Sequence, residues 1–328
     1  MTWREEVVLF FHGFTGSKAY FPDTVGDEVC ILSFDRPGVG ESSIVEYYSM
    51  EGFLEIVHGV LEEHGVTSVK LVGHSAGGYY AQVFAHMYPE MTGSVTLASS
   101  MVPLNCPDTK GIVGGQWKFI VTLSLGLKGP SKLYFKKMAK GITGDYDKQL
   151  AQNMKALPEA ERRFMEENPE LIKNAVLSAV ANEGLGVCYD AYALCQKRDK
   201  VTIPADIPVY IWHGAEDDTI PLSFVEYLQS AYPVRETHVV EGVGHMLYLI
   251  SWNEIIRLLL LGQIVELHSA SLLLQNGRIS GEASPLYYPS EPFPSSGRTG
   301  LPSAKSTLPF DRNVTPAPTR PRRHMRAA

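Results

Sequence analysis

Six short apolar runs punctuate the chain: Val7–Phe11, Glu28–Phe34, Ser68–Val72, Ser94–Ala98, Pro208–Trp212 and Thr237–Val240. They are brief and rich in β-branched residues, as strands buried on both faces should be. Between the second and third runs, Phe53, Ile56, Val57, Val60 and Leu61 recur at helical spacing and predict an amphipathic helix. A further helix is expected from Ala76 to about Tyr88, stopped by Pro89. Strands alternating with helices predict a doubly wound, mostly parallel α/β sheet. The alternation stops after Ala98. Residues 103–203 read as mostly helical, with breaks near Gly126–Pro130, Leu157-Pro158 and Asn168-Pro169. Trp117, Phe119, Ile120, Leu123, Leu133, Phe135 and Met138 are expected mostly in the core of that insertion. Met246–Leu261, interrupted by Asn253, Glu254 and Arg257, reads as a closing helix rather than a membrane span.

The third run leads into Gly73-His74-Ser75-Ala76-Gly77-Gly78 and then a helix. A strand, a tight glycine-bearing turn and a helix form the context of the G-x-S-x-G nucleophile elbow. The sharp turn strains the backbone at its centre, and the small flanking residues relieve crowding. The hydroxyl of Ser75 is thereby presented at the start of a helix. A serine hydroxyl needs a base to take its proton, and the base is usually a histidine oriented by a carboxylate. In this architecture the chain order is serine, acid, histidine. The fifth run breaks at His213-Gly214-Ala215-Glu216-Asp217-Asp218, and the sixth ends in Glu241-Gly242-Val243-Gly244-His245. Each candidate therefore lies just past the carboxyl end of a strand, where open α/β sheets bind ligands.

These segments, together with His12-Gly13-Phe14 after the first run and Asp35-Arg36-Pro37-Gly38-Val39-Gly40-Glu41-Ser42 after the second, resemble the α/β-hydrolase superfamily over residues 6–262. The pattern is most similar to serine-nucleophile small-molecule hydrolases with a helical cap. The resemblance implies Ser75 as nucleophile, His245 as general base and acid, and Asp217 as orienting carboxylate, with Glu216 and Asp218 as local rivals. It implies oxyanion donors at the N–H groups of Ala76 and Phe14. His12, Gly13, Gly73, His74 and Gly77 are supporting residues, His12 fixing the oxyanion loop and His213 the acid loop. The domain plan it implies is core at 1–102, helical cap at 103–203, core again at 204–262, and a tail at 263–328. Such enzymes carry an antiparallel hairpin before the strand that ends in His-Gly. The chain begins almost at that strand, so the expectation is either a sheet without its first two strands, or a sequence that is an N-terminal truncation or an alternative gene model.

The expected reaction is hydrolysis of a carboxylic ester of a small or medium apolar molecule through an acyl-enzyme. Carbon–carbon bond hydrolysis, or amide or aminopeptidase-type cleavage, are alternatives at the same site. An inactive ligand-binding member is the alternative from a different class. Gly38-Val39-Gly40 lacks the third glycine of a dinucleotide fingerprint and reads as a structural turn. No cofactor and no metal are expected: Cys30, Cys106, Cys188 and Cys195 have no metal-ligand spacing and read as free thiols of a cytoplasmic protein. The start of the chain does not read as a signal peptide.

The net charge of −7 conceals an asymmetry. Residues 269–328 carry eight Lys/Arg against three Asp/Glu, a net of +5, and nine of the 21 prolines. That composition predicts a disordered tail. The rest holds 21 basic against 33 acidic residues, a net of −12, which argues against nucleic acid as a partner. A small-molecule substrate is the partner expected.

Overall fold

The computed structural model describes residues 6–19 and 29–260, so the tail expected at 263–328 lies outside the described residues. Among the described residues six strands form the sheet: β1 (Glu6–Phe11), β2 (Val29–Ser33), β3 (Val69–His74), β4 (Thr92–Ala98), β5 (Val209–Gly214) and β6 (Val234–Val240). Their spatial order is β2-β1-β3-β4-β5-β6, and every pairing among the described residues is parallel. The chain steps outward from β1 to β2, then returns to the other side of β1 with β3. This reversal places the topological switch between β1 and β3, where doubly wound sheets form their ligand crevice.

Alternation along β1 explains how the sheet is covered. Val7, Leu9 and Phe11 point into one apolar layer, and Val8 and Phe10 into the other. The first layer contains α1 (Met50–Glu63), α2 (Ala76–Met87) and α9 (Leu222–Ala231). Strand β3 is buried at all six positions, which marks it as central. Its one charged residue, Lys70, donates from Nζ to the carbonyl of Leu259 at 2.6 Å. The ammonium thereby serves a carbonyl of the helical residues at 252–260. Edge strand β6 is half exposed and carries Arg235 and Glu236, charges that discourage edge-to-edge pairing.

The buried stripe of α1 is Met50, Phe53, Leu54, Val57 and Leu61. Ile56, expected on that face, is 66% exposed, and Val60 is half-buried. The face is set by the 53–57–61 ladder, and Met50 and Leu54 extend it on the side away from Ile56.

Between β4 and β5 the chain forms a helical insertion: α3 (Gly115–Leu125), α4 (Lys128–Gly144), α5 (Tyr146–Asn153), α6 (Glu159–Glu167), α7 (Pro169–Ala179) and α8 (Leu185–Cys195). Trp117, Ile120 and Phe135 are buried within it, whereas Phe119 and Leu133 are exposed, contrary to the sequence expectation. They lie on faces of α3 and α4 turned away from the packed one. Residues of α6 and α7, including Met165, Ile172 and Ala175, pack into the second sheet layer beside Trp252, Ile255 and Ile256. The closing segment is two helices rather than one: α10 (Leu247–Ile250) ends at Ser251, and α11 occupies 252–260. Among the described residues no helix is long and apolar enough to cross a membrane.

Candidate active site

Ser75 follows β3 with φ 54° and ψ −120°, a left-handed conformation that side chains rarely adopt. Strain of this kind costs about 1–3 kcal/mol and persists only where the surroundings impose it. Its N–H donates to the carbonyl of Ala98 at 3.0 Å, and its own carbonyl accepts from Met101 N at 2.8 Å and Gly78 N at 3.0 Å. The neighbouring glycines are required by space. A Cβ on Gly77 would overlap the carbonyl of Phe11, and one on Gly73 would stand 2.5 Å from the carbonyl of Gly77.

Asp217 and His245 meet this serine. Ser75 Oγ lies 3.1 Å from His245 Nε2, and His245 Nδ1 lies 3.0 Å from Asp217 Oδ2. With the proton on Nδ1, that nitrogen donates to the carboxylate and Nε2 is free to accept from the serine hydroxyl. The second carboxylate oxygen of Asp217 accepts from the backbone N–H groups of Thr219 and Ile220, both at 2.9 Å. Burial pushes the Asp217 carboxyl up. The hydrogen bond and charge of His245 and the two backbone donors outweigh that and bring it down to about 2. Asp217 is therefore the ionised member, and its side chain is fully buried. Glu216 and Asp218 are exposed, and Asp218 accepts only a local bond from the Thr219 hydroxyl at 3.2 Å.

Ala76 opens α2, so its N–H has no acceptor within the helix. The His12-Gly13-Phe14 loop lies against the same serine: a Cβ on Gly13 would stand 3.3 Å from Ser75 Cβ and 2.9 Å from His74 Nδ1. His12 is 1% exposed, with Nδ1 3.0 Å from the carbonyl of Gly13, and burial beside Arg36 holds its pKa well below the usual value. His74 donates from Nε2 to the carbonyl of His245 at 2.9 Å and packs on Tyr248 at 4.2 Å. Burial, reinforced by His245, lowers His74 to about 3, so it stays neutral. His213 is buried at the end of β5, and burial depresses its pKa.

Two groups escaped sequence reasoning. Arg36, 1% exposed, donates to the carbonyls of His12 at 2.8 Å and Gly13 at 2.7 Å. Its Nε meets Asp190 of α8 at 3.0 Å, and Asp190 also accepts from the hydroxyls of Tyr80 at 2.7 Å and Tyr48 at 3.0 Å. The turn at Asp35–Ser42 thus holds the loop beneath Phe14 by its carbonyls. Glu161 of α6, also 1% exposed, accepts at Oε1 from the N–H groups of Gly244 and Met246, both at 2.8 Å. Its one legible signal is a carboxylate four residues before Met165 on the buried stripe of α6.

Residues of the insertion reach the loops on either side of Ser75. Ser75 is only 2% exposed. Phe14 packs edge-on to Trp117 of α3 at 6.5 Å and Phe135 of α4 at 6.2 Å. Trp117 Nε1 also donates to the carbonyl of Thr219, beside Asp217, at 3.0 Å.

Known proteins share this arrangement of chain. A 2-hydroxy-6-oxononadienedioate/2-hydroxy-6-oxononatrienedioate hydrolase of Paraburkholderia phymatum is 26% identical over 224 residues, 66% of this chain and 69% of that protein. Among solved structures, a thermophilic esterase from Thermogutta terrifontis superimposes with a TM-score of 0.56 at 18% identity, covering 81% of this chain and 92% of that one. An enol-lactonase from Burkholderia xenovorans gives a TM-score of 0.54 at 13% identity, covering 78% and 90%. These structural likenesses speak for the fold. The model of the alpha/beta hydrolase fold family matches residues 6–251, three quarters of the chain, and this protein is a member of that family.

Proposed function

We propose that the chain is a serine hydrolase that cleaves a carboxylic ester of a small or medium apolar molecule. The observation that carries this reading is the continuous line from Ser75 Oγ through His245 to Asp217, at 3.1 and 3.0 Å, on a strained elbow. In the proposed reaction, Ser75 Oγ attacks the carbonyl carbon while His245 Nε2 takes its proton. The carbonyl oxygen becomes an oxyanion facing the N–H groups of Ala76 and Phe14. Collapse expels the alcohol, which receives the proton from His245 and leaves the acyl group on Ser75. His245 then deprotonates a water, which attacks the acyl carbon. The acid departs and the proton returns to Ser75. Asp217 holds the tautomer and stabilises the imidazolium. Residues 103–203 act as a cap over core segments 1–102 and 204–262, and the aromatic contacts of Phe14 with Trp117 and Phe135 favour an apolar substrate.

A second reading, carbon–carbon bond hydrolysis, is favoured by the name of the Paraburkholderia relative. A dioate substrate brings two carboxylates that need donors. The buried guanidinium behind the oxyanion loop is already engaged with the carbonyls of His12 and Gly13 and with the Asp190 carboxylate. The test is a screen of p-nitrophenyl esters of rising chain length against a 2-hydroxy-6-oxo-dienoate, with fluorophosphonate labelling and Ser75→Ala as control. Ester turnover and labelling that vanish in Ser75→Ala are expected. A folded chain that takes no label sinks the proposal, and turnover of the dienoate alone replaces it with the second reading.

A further inference from the structure

The carboxylate of Glu161 does something the hydrolase reading does not require of a cap residue. It reaches from the insertion to the backbone on either side of His245. We propose that Glu161 is a positioning residue that aims His245, so that the helical insertion supplies part of the frame of the catalytic base. The proposal rests on the reading of His245 as that base.

The geometry is specific to one residue. Glu161 Oε1 accepts from the N–H before His245, on Gly244, and from the N–H after it, on Met246, both at 2.8 Å. The carbonyl of His245 itself accepts from His74 Nε2 at 2.9 Å. The peptide that follows the histidine is therefore held at both its N–H and its carbonyl, the one that precedes Gly244 is held at its N–H, and the ring is left to meet Asp217 and Ser75. Without Glu161 two N–H groups lose their acceptor, and the histidine backbone is left with the tether to His74 and the bond from Leu247 N to the Gly244 carbonyl at 3.3 Å. A carboxylate 1% exposed is costly to keep unless it is used. Its second oxygen, Oε2, is buried with no hydrogen-bond partner among the described residues. Burial raises the carboxyl pKa, the N–H groups of Met246 and Gly244 oppose that rise, and His245 and Asp217 act on it through their charges. The acid therefore lies in the field of His245, whose flanking backbone it holds, and of Asp217. Space reinforces the point: a cleft of about 950 Å³ opens beside this joint, lined by residues such as Arg163, Phe164, Gly242, Leu249 and Trp252. Glu161 is the buried polar bridge of the contact between α6 and the histidine loop.

The test compares the full-length chain with Glu161→Ala and Glu161→Gln, the latter keeping an acceptor oxygen at the same reach. Kinetics on a p-nitrophenyl ester are paired with the downfield proton NMR signal of His245 Nδ1–H. Displacing a catalytic group slightly costs up to ~100-fold in rate, so kcat of Glu161→Ala is expected to fall roughly 10–100-fold with KM nearly unchanged. Its Nδ1–H signal should broaden or vanish, and Gln should restore both. If Ala prevents folding, Glu161→Asp, one methylene short, replaces it with the same expectation. The proposal is overturned if the folded Ala or Asp variant keeps wild-type kcat and an unchanged Nδ1–H signal, or if Gln rescues neither. If the unmutated chain turns over no ester and takes no fluorophosphonate, the hydrolase reading fails separately, and the Nδ1–H comparison still decides the role of Glu161.

Discussion

Acid should destabilise this fold through a histidine that takes no part in proton transfer. His74 is buried between Gly13, Tyr248 and His245, and its pKa stands at about 3 against an ordinary 6.5. Above 6.5 the side chain is neutral in both the folded and unfolded chain and contributes nothing to pH dependence. Between 6.5 and about 3 the unfolded chain takes up a proton that the folded chain refuses, so stability falls as pH falls across that window. Each pH unit inside it costs about 1.4 kcal/mol, and the whole window amounts to about 5 kcal/mol at most. The perturbation is His74→Gln, which keeps an N–H for the carbonyl of His245 and does not titrate. Urea unfolding of both chains at about pH 7.5 and about pH 5 reads the effect, because titrating groups distant from His74 are common to both and cancel. The stability lost by the wild type on acidification should exceed that lost by His74→Gln by about 2 kcal/mol. Two pH profiles that run parallel within about 0.5 kcal/mol would refute the reasoning, since a neutral buried imidazole has no other route to that independence.

Other predictions concern the frame of the site. Gly77→Ala, which drives a methyl into the carbonyl of Phe11, should lower stability by about 3 kcal/mol or more in chemical denaturation. Gly59→Ala, in α1 where a Cβ meets nothing, should raise it by about 0.5–1 kcal/mol. Asp190→Ala leaves the Arg36 guanidinium buried without its carboxylate and should cost about 3–5 kcal/mol, read as a fall in Tm and urea midpoint.

How much of this was visible in the sequence depends on how local the cause is. The strands and the elbow were legible because each is a short pattern whose geometry is decided within a few residues. Asp217 and His245 were legible because a strand end announces each of them. The meeting of Ser75, His245 and Asp217 follows from the sheet order, which brings the ends of β3, β5 and β6 to one edge. Arg36–Asp190 and Glu161 were not legible as functional groups. Their partners lie 154 and about 84 residues away, and no spacing rule connects a turn after β2 to α8, or α6 to the loop after β6. The exposure of Ile56 shows the same limit on a smaller scale: helical spacing gives a stripe, and only the neighbouring sheet decides which side of it is covered.

The separation between the two side chains proposed to react has a consequence for synthesis. Ser75 and His245 are 170 residues apart in the chain. At ribosomal speeds of roughly 5–20 residues per second, about ten to thirty seconds pass between the emergence of the nucleophile and that of its base. During that interval the nascent chain holds an elbow whose hydroxyl has nothing to take its proton. On the proposed mechanism a product ending before residue 245 has no base for Ser75, and hydrolysis waits for the loop that follows β6.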